Sequence, residues 1–359
     1  METQRGSRSL ANLLVVRLIR SLDLSLHHCL PIIAAASVDY YDYAWTSDPI
    51  VNGFITESGT ATSFSNPAPP NNTAYWFNAT EKLGCGCASA GIPATVACMR
   101  TKSFQQILNA TASPPGPAAV LGQFGPTADN QVVFSDYAAR AAAGQFTQKP
   151  YFTGNNDYEA GLFKIIAAAA GIQLPDLGWA IFDLSTFTCP ASNAALARFV
   201  HGVPTWRYRY FADFPNVRLT LNPDSGAWHG AEIGIVWQTT VDASGEANTA
   251  PEASISQYLS GAWAAFAKNP ATGLSSAPYS WPRYNPLGDT LIRLAYNNET
   301  DASYVFPVTY DLACPVVEAV LALIPGGTAG LASASPSTLA PLAQFGNLTA
   351  MGGGNAATY

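Results

Sequence analysis

Two residues suited to proton transfer, Glu159 and His229, stand 70 positions apart in this chain. Glu159 follows a run that reads as strand and turn, Lys149-Pro150-Tyr151-Phe152-Thr153 and then Gly154-Asn155-Asn156-Asp157. A side chain at such a point faces the crevice along the carboxyl ends of a sheet. His229 lies in Ser225-Gly226-Ala227-Trp228-His229-Gly230, a turn-rich loop whose glycines leave an imidazole uncovered. A carboxylate behind such a ring orients it and lets it work as a general base. Each residue also has an ordinary explanation. A glutamate in the first turn of a helix is favoured by the helix dipole, and a loop histidine can be merely solvated. His201 ends a helical stretch and is accounted for by the same dipole. His27 and His28 fall in an unpatterned leader.

A base and an acid need a group to activate. In one class of triad enzymes the nucleophile comes first, then the acid, then the histidine, and the nucleophile sits in a tight G-x-S-x-G turn. Glu159 before His229 obeys that order. No serine or cysteine ahead of Glu159 is flanked by glycine two positions away on both sides; Ser58 follows Glu57 and Thr56, and Cys87 has Cys85 before it and Ser89 after it. The nucleophile turn is absent.

The elements that must position the pair alternate between strand and helix, which argues for the α/β class. Strand candidates are Gly53-Phe54-Ile55-Thr56, Lys149 to Thr153, and the aromatic alternation Thr205 to Phe211. Helices are expected from Tyr158 to Ala170, stopped by Gly171, and from Ala191 to His201, stopped by Gly202. Thr249 and Glu252 read as a capping box for a helix with Ile255, Leu259, Trp263 and Phe266 on its apolar face, broken at Asn269-Pro270. Three core strands are too few for a free-standing doubly wound sheet.

Charged residues make up only 11% of the 359, against roughly a quarter in ordinary soluble domains. A net charge of −7 and a pI near 5.0 repel phosphate backbones, so nucleic acid is not an expected partner. The apolar stretch from Leu10 to Ser37 is broken by Arg17, Arg20, Asp23, His27 and His28. It offers neither the roughly 20 apolar residues of a membrane span nor an uninterrupted signal-peptide centre. Sequons at Asn71, Asn78, Asn109, Asn298 and Asn347 still point towards export. The six cysteines, Cys29, Cys85, Cys87, Cys98, Cys189 and Cys314, match no zinc spacing; in an exported chain they read as structural disulfides. No metal or other cofactor is expected.

Several stretches resemble type B carboxylesterases, the cholinesterase and lipase family of α/β-hydrolases, especially their secreted fungal branch. Ser37 to Ala61 is similar to the segment after the nucleophile helix, ending in a core strand and Ser58-Gly59. Gly154 to Gly161 is similar to the motif of the acid and Gly226 to Ile233 to that of the catalytic histidine, which maps those roles onto Glu159 and His229. Cys189-Pro190, Trp206 to Phe214, Trp263 to Pro270 and Trp281-Pro282 match further segments. The resemblance implies an α/β-hydrolase fold of which only the C-terminal part is present, about three core strands with a helical cap insertion, the N-terminal half missing. It divides the chain into a leader over 1–36, a partial carboxylesterase domain over 37–325 and a flexible Gly/Ala/Ser-rich tail over 326–359. It implies a supporting role for Ser58 beside the acid–histidine network. It also implies disulfides Cys85–Cys98 and Cys189–Cys314, with Cys87 competing with Cys85.

Where the family places its nucleophile, this chain reads Leu30-Pro31-Ile32-Ile33-Ala34-Ala35-Ala36, so Ile32 stands in for the serine. The glycine-rich oxyanion loop and the first five core strands have no counterpart. The expectation is a family member that acts on carboxylic esters only if completed and is inactive as it stands. A non-catalytic binding module of the cholinesterase-like kind, and a truncated gene model of an active secreted esterase, are the competing readings.

Overall fold

A computed structural model describes residues 30–47, 49–63, 73–111, 124–169, 171–324, 336–339 and 341–342. The first described element is helix α1 (Leu30–Ala44), and β1 (Phe54–Glu57) comes after it. Short helices follow, among them α2 (Ala74–Lys82), α3 (Gly91–Met99) and α4 (Phe104–Thr111), before β2 (Tyr151–Asn156). Between β2 and β3 (Thr205–Tyr210) lie α5 (Ala160–Ala169), α6 (Asp176–Asp183), a π-helical turn at Leu184–Thr188 and α7 (Cys189–Val200). Next come α8 (Ala231–Val236), α9 (Ala250–Lys268), β4 (Leu291–Leu294), β5 (Ser303–Val305) and α10 (Cys314–Leu321).

The strands form one sheet in chain order, β1 to β4 parallel and β5 antiparallel to β4. Among the described residues five strands replace the three expected. The two that were missed, β4 and β5, are four and three residues long. β4, Leu-Ile-Arg-Leu, is buried on both faces and β5 is too short, so neither displays the alternation that marks β1.

Both sheet faces are covered, as a parallel sheet requires. Phe152, Trp206, Tyr208, Ile292 and Leu294 pack with Ile235 of α8 and with Ile255, Leu259, Trp263 and Phe266 of α9. These four α9 residues are the apolar stripe read from the sequence, and Thr249 and Glu252 form the reciprocal capping box at its start. On the opposite face Phe54 and Tyr151 meet Ala194 of α7 and Val38 and Tyr41 of α1. In β3 the aromatic residues go to one face and Arg207 and Arg209 to the other, and all six strand residues are buried. The arginines are tolerated because each is paired, Arg207 with Asp311 at 2.5 Å and Arg209 with Asp157 at 2.7 Å. Gly171 and Gly202 stop their helices in the left-handed conformation expected of them, each at φ +73°.

Among the described residues the disulfides are Cys85–Cys98 and Cys189–Cys314, and Cys87 is a free thiol. The second bond joins the start of α7 to the start of α10 across 125 residues of sequence. Closing such a loop typically stabilises a fold by roughly 2–4 kcal/mol. No helix among the described residues is long and apolar enough to cross a membrane.

Candidate functional site

Three parallel neighbours each deliver one residue at or beyond their carboxyl ends, where α/β sheets open a crevice. Ser58 follows β1, Glu159 lies just past β2, and His229 lies in the loop after β3. Ser58 holds φ at +58°, a left-handed conformation that costs a non-glycine residue about 1–3 kcal/mol and collects at functional sites. Its amide continues the ladder to Gly154 at 2.8 Å, and its hydroxyl donates to Glu159 Oε1 at 2.5 Å. The backbone N–H of Asn156 donates to the same oxygen at 2.5 Å. The other oxygen, Oε2, lies 2.5 Å from His229 Nδ1. A carboxylate only accepts, so this contact puts the ring proton on Nδ1 and leaves Nε2 as the free lone pair.

Local backbone explains how the histidine loop comes so close. Tyr158 N–H donates to the Ala227 carbonyl at 3.1 Å, tying the acid loop to the histidine loop. The Ser225 carbonyl passes so near Gly161 that a Cβ there would lie 2.1 Å from its oxygen, so only glycine fits. Gly230, at φ +96°, turns the chain from His229 into α8.

The imidazole is fully buried against two aromatic rings, Phe163 of α5 at 5.5 Å and Phe187 of the π-helical turn at 5.2 Å between centroids. π-Helical turns recur at functional sites. Nε2 has no hydrogen-bond partner among the described residues. Asp183 ends α6 nearby, accepting from Ala160 N–H at 2.6 Å. Burial, and then the charge of Glu159, push its carboxyl well above the usual range.

The structure therefore brings together Glu159, His229 and Ser58. The Ile32 side chain and Cys29 lie outside the described residues, as do Asn71 and Asn347. Asn78 and Asn109 are exposed, whereas Asn298 is half-buried and bonded to the Asp213 backbone. His201 caps α7 and packs on Phe146, away from the pair. Sequence reasoning missed Asn156, Asp183, Phe187 and Glu232 as neighbours. Only Asn156 and Glu232 left a trace, each three residues from a site residue: Asn156 ahead of Glu159 and Glu232 after His229. No group of three or more metal-binding side chains occurs among the described residues.

Burial has a consequence for stability. It raises the carboxyls of Asp42 to about 6 and Glu57 to about 7, and it also raises Asp157, Asp183 and Glu232. Such groups hold protons in the fold that the unfolded chain has already released, so stability falls as pH rises from the unfolded values through the folded ones. Each contributes at most about 1.4 kcal/mol per pH unit across that window. Thermal melts are therefore expected to give a midpoint several degrees higher at about pH 5 than at about pH 8. Equal midpoints, or the reverse order, would contradict these shifts.

The sequence is similar to known proteins over most of its length. The sequence profile of the carboxylesterase family matches residues 34–173 and 179–307. A chlorogenic acid esterase of Aspergillus niger is 26% identical over 274 residues, 73% of this chain and 51% of that protein. Secreted lipase 5 of Gibberella zeae is 27% identical over 280 residues, 74% of this chain and 51% of that protein. The chain thus spans about half the length of these curated relatives. With most of its residues inside the family profile, the chain belongs to the carboxylesterase family and has that family's α/β-hydrolase fold.

Proposed function

We propose that Glu159 and His229 are the acid and base of a carboxylic ester hydrolase, and that these 359 residues alone do not turn esters over. The observation that carries the reading is the 2.5 Å contact between Glu159 Oε2 and His229 Nδ1 with Nε2 unpartnered among the described residues. In the reaction Nε2 takes the proton of an attacking hydroxyl as that oxygen bonds to the ester carbonyl. Glu159 steadies the imidazolium, which then returns the proton to the departing alkoxide. Water repeats the sequence on the acyl intermediate. Substrates are carboxylic esters with an apolar acyl or alcohol part, in keeping with the aromatic rings of Phe163 and Phe187 beside the base.

Inactivity of the chain by itself is supported by the missing G-x-S-x-G turn, and by the lack of any hydroxyl or thiol bonded to Nε2 among the described residues. An extracellular setting is supported by the name of the Gibberella zeae relative, the two disulfides and the exposed sequons at Asn78 and Asn109.

A serine-directed fluorophosphonate probe tests the proposal. The purified chain should remain unlabelled, and stoichiometric labelling that His229→Ala abolishes would overturn the inactive reading. Transcript sequence upstream of the Ser37 codon separates the truncated gene model from a true loss: an in-frame Gly-x-Ser-x-Gly there restores the enzyme.

A further inference from the structure

Beside the Glu159–His229 pair lies a second carboxyl group that the proposed reaction does not use. Glu232, in the first turn of α8, is buried. Its Oε2 accepts a hydrogen bond from Asn156 Nδ2, and its Oε1 has no partner among the described residues. Tyr208 and Tyr210 of β3 are within its electrostatic reach, and their buried hydroxyls also lack partners among the described residues. Burial, and then the neighbouring carboxyls of Glu159 and Glu57, push the Glu232 carboxyl well above the ordinary range. No cation is paired with it among the described residues. Burial and acidic neighbours both favour the protonated form of such a carboxyl.

Asn156 is the joint. Its backbone N–H holds Glu159 Oε1 at 2.5 Å. Its side-chain amide donates both to the Trp228 carbonyl at 2.7 Å, one residue before the histidine, and to Glu232. One residue thus touches the acid, the histidine loop and the second carboxyl group. Both amide hydrogens are used.

We propose that Asn156 and Glu232 are positioning residues, which together fix Glu159 and the His229 loop in a common frame so that Nδ1 stays on Oε2. The inference rests on Glu159 and His229 working as a pair. Glu232 serves as a neutral acid, so its amide isostere should replace it; a carboxylate role would not survive that change.

The test is the far-downfield proton resonance of His229 Nδ1–H, read by NMR on the full chain. Wild type should show it, and Glu159→Leu should lose it. Asn156→Ala and Glu232→Leu should lose it or broaden it, while Glu232→Gln should keep it at the wild-type position. High-field methyl signals in the same spectra report whether each variant is folded. Should Glu232→Leu fail to fold, Asn156→Ala and Glu232→Gln carry the test. A wild-type line retained in folded Asn156→Ala would overturn the positioning role. Loss in folded Glu232→Gln would overturn the neutral-acid role. Absence of the line from wild type would instead sink the Glu159–His229 pairing beneath both.

Discussion

Offered a p-nitrophenyl ester of a short fatty acid, the purified chain is expected to turn it over about 10⁶-fold more slowly than a complete triad esterase. That figure is the cost of deleting the nucleophile from a comparable triad. The rate that survives such a deletion, about 10³–10⁴ above water, comes from the oxyanion donors and substrate binding. No oxyanion loop is recognisable in this sequence, so little of that residue should remain. Nor can the base easily act directly on water, since His229 is fully buried beside Phe163 and Phe187. Wild type and His229→Ala should therefore release nitrophenol at the same slow rate. A burst of one equivalent, abolished by His229→Ala, would show that a hydroxyl or thiol does reach Nε2.

Removal of the Arg198 guanidinium is expected to cost about 3–5 kcal/mol of stability at neutral pH, because it strands buried charge. Arg198 Nη2 of α7 lies 2.7 Å from Asp39 and 2.5 Å from Asp42, both on α1, and all three side chains are almost completely buried. The two aspartates tie down further chain: Asp39 accepts from the Ala61 amide and the Tyr151 hydroxyl, and Asp42 from the Thr147 amide. The guanidinium also lies over the Tyr151 ring at 4.0 Å, a contact a methionine stem keeps only as packing. Arg198→Met should thus weaken the seam between α1 and α7. Its cost should shrink at about pH 5, where Asp42, raised to about 6 chiefly by burial, takes up a proton. Arg198→Lys should cost less than Arg198→Met at both pH values. Denaturant titrations of the three proteins decide the matter, and a loss under about 1 kcal/mol for Arg198→Met, the level of an exposed pair, would rule the triad out as a tie.

Much of the site could be read from the sequence because its signals are local. Glu159 and His229 sit in turn-forming strings in the acid-before-histidine order of a triad, and likeness of both strings to the family motifs mapped the roles onto them. The α9 boundary was legible because a capping box needs only two side chains three residues apart. Family resemblance supplied the disulfide partners and the place of Ser58, which spacing alone does not give. What stayed hidden depends on tertiary approach. Phe187 reaches the imidazole through a π-helical turn that has no propensity signature, and Asp183 is aimed by the fold of α6. Asn156 looked like one polar residue of a turn among several, yet it is a full member of β2 and bonds to groups 72 and 76 residues away. The short β4 and β5 hold their places through pairing with β3 and with each other.

Ser58, Glu159 and His229 are carried by adjoining strands and linked by two contacts of 2.5 Å, so the trio spans the sheet like a lintel. Parting any two of those strands breaks the span, and the hydrogen bonds from Tyr158 to the Ala227 carbonyl and from Asn156 to the Trp228 carbonyl tie the histidine loop to the end of β2. Amide protons around His229 should consequently exchange only in the slowest, whole-molecule opening, rather than through the private fluctuations usual for a loop.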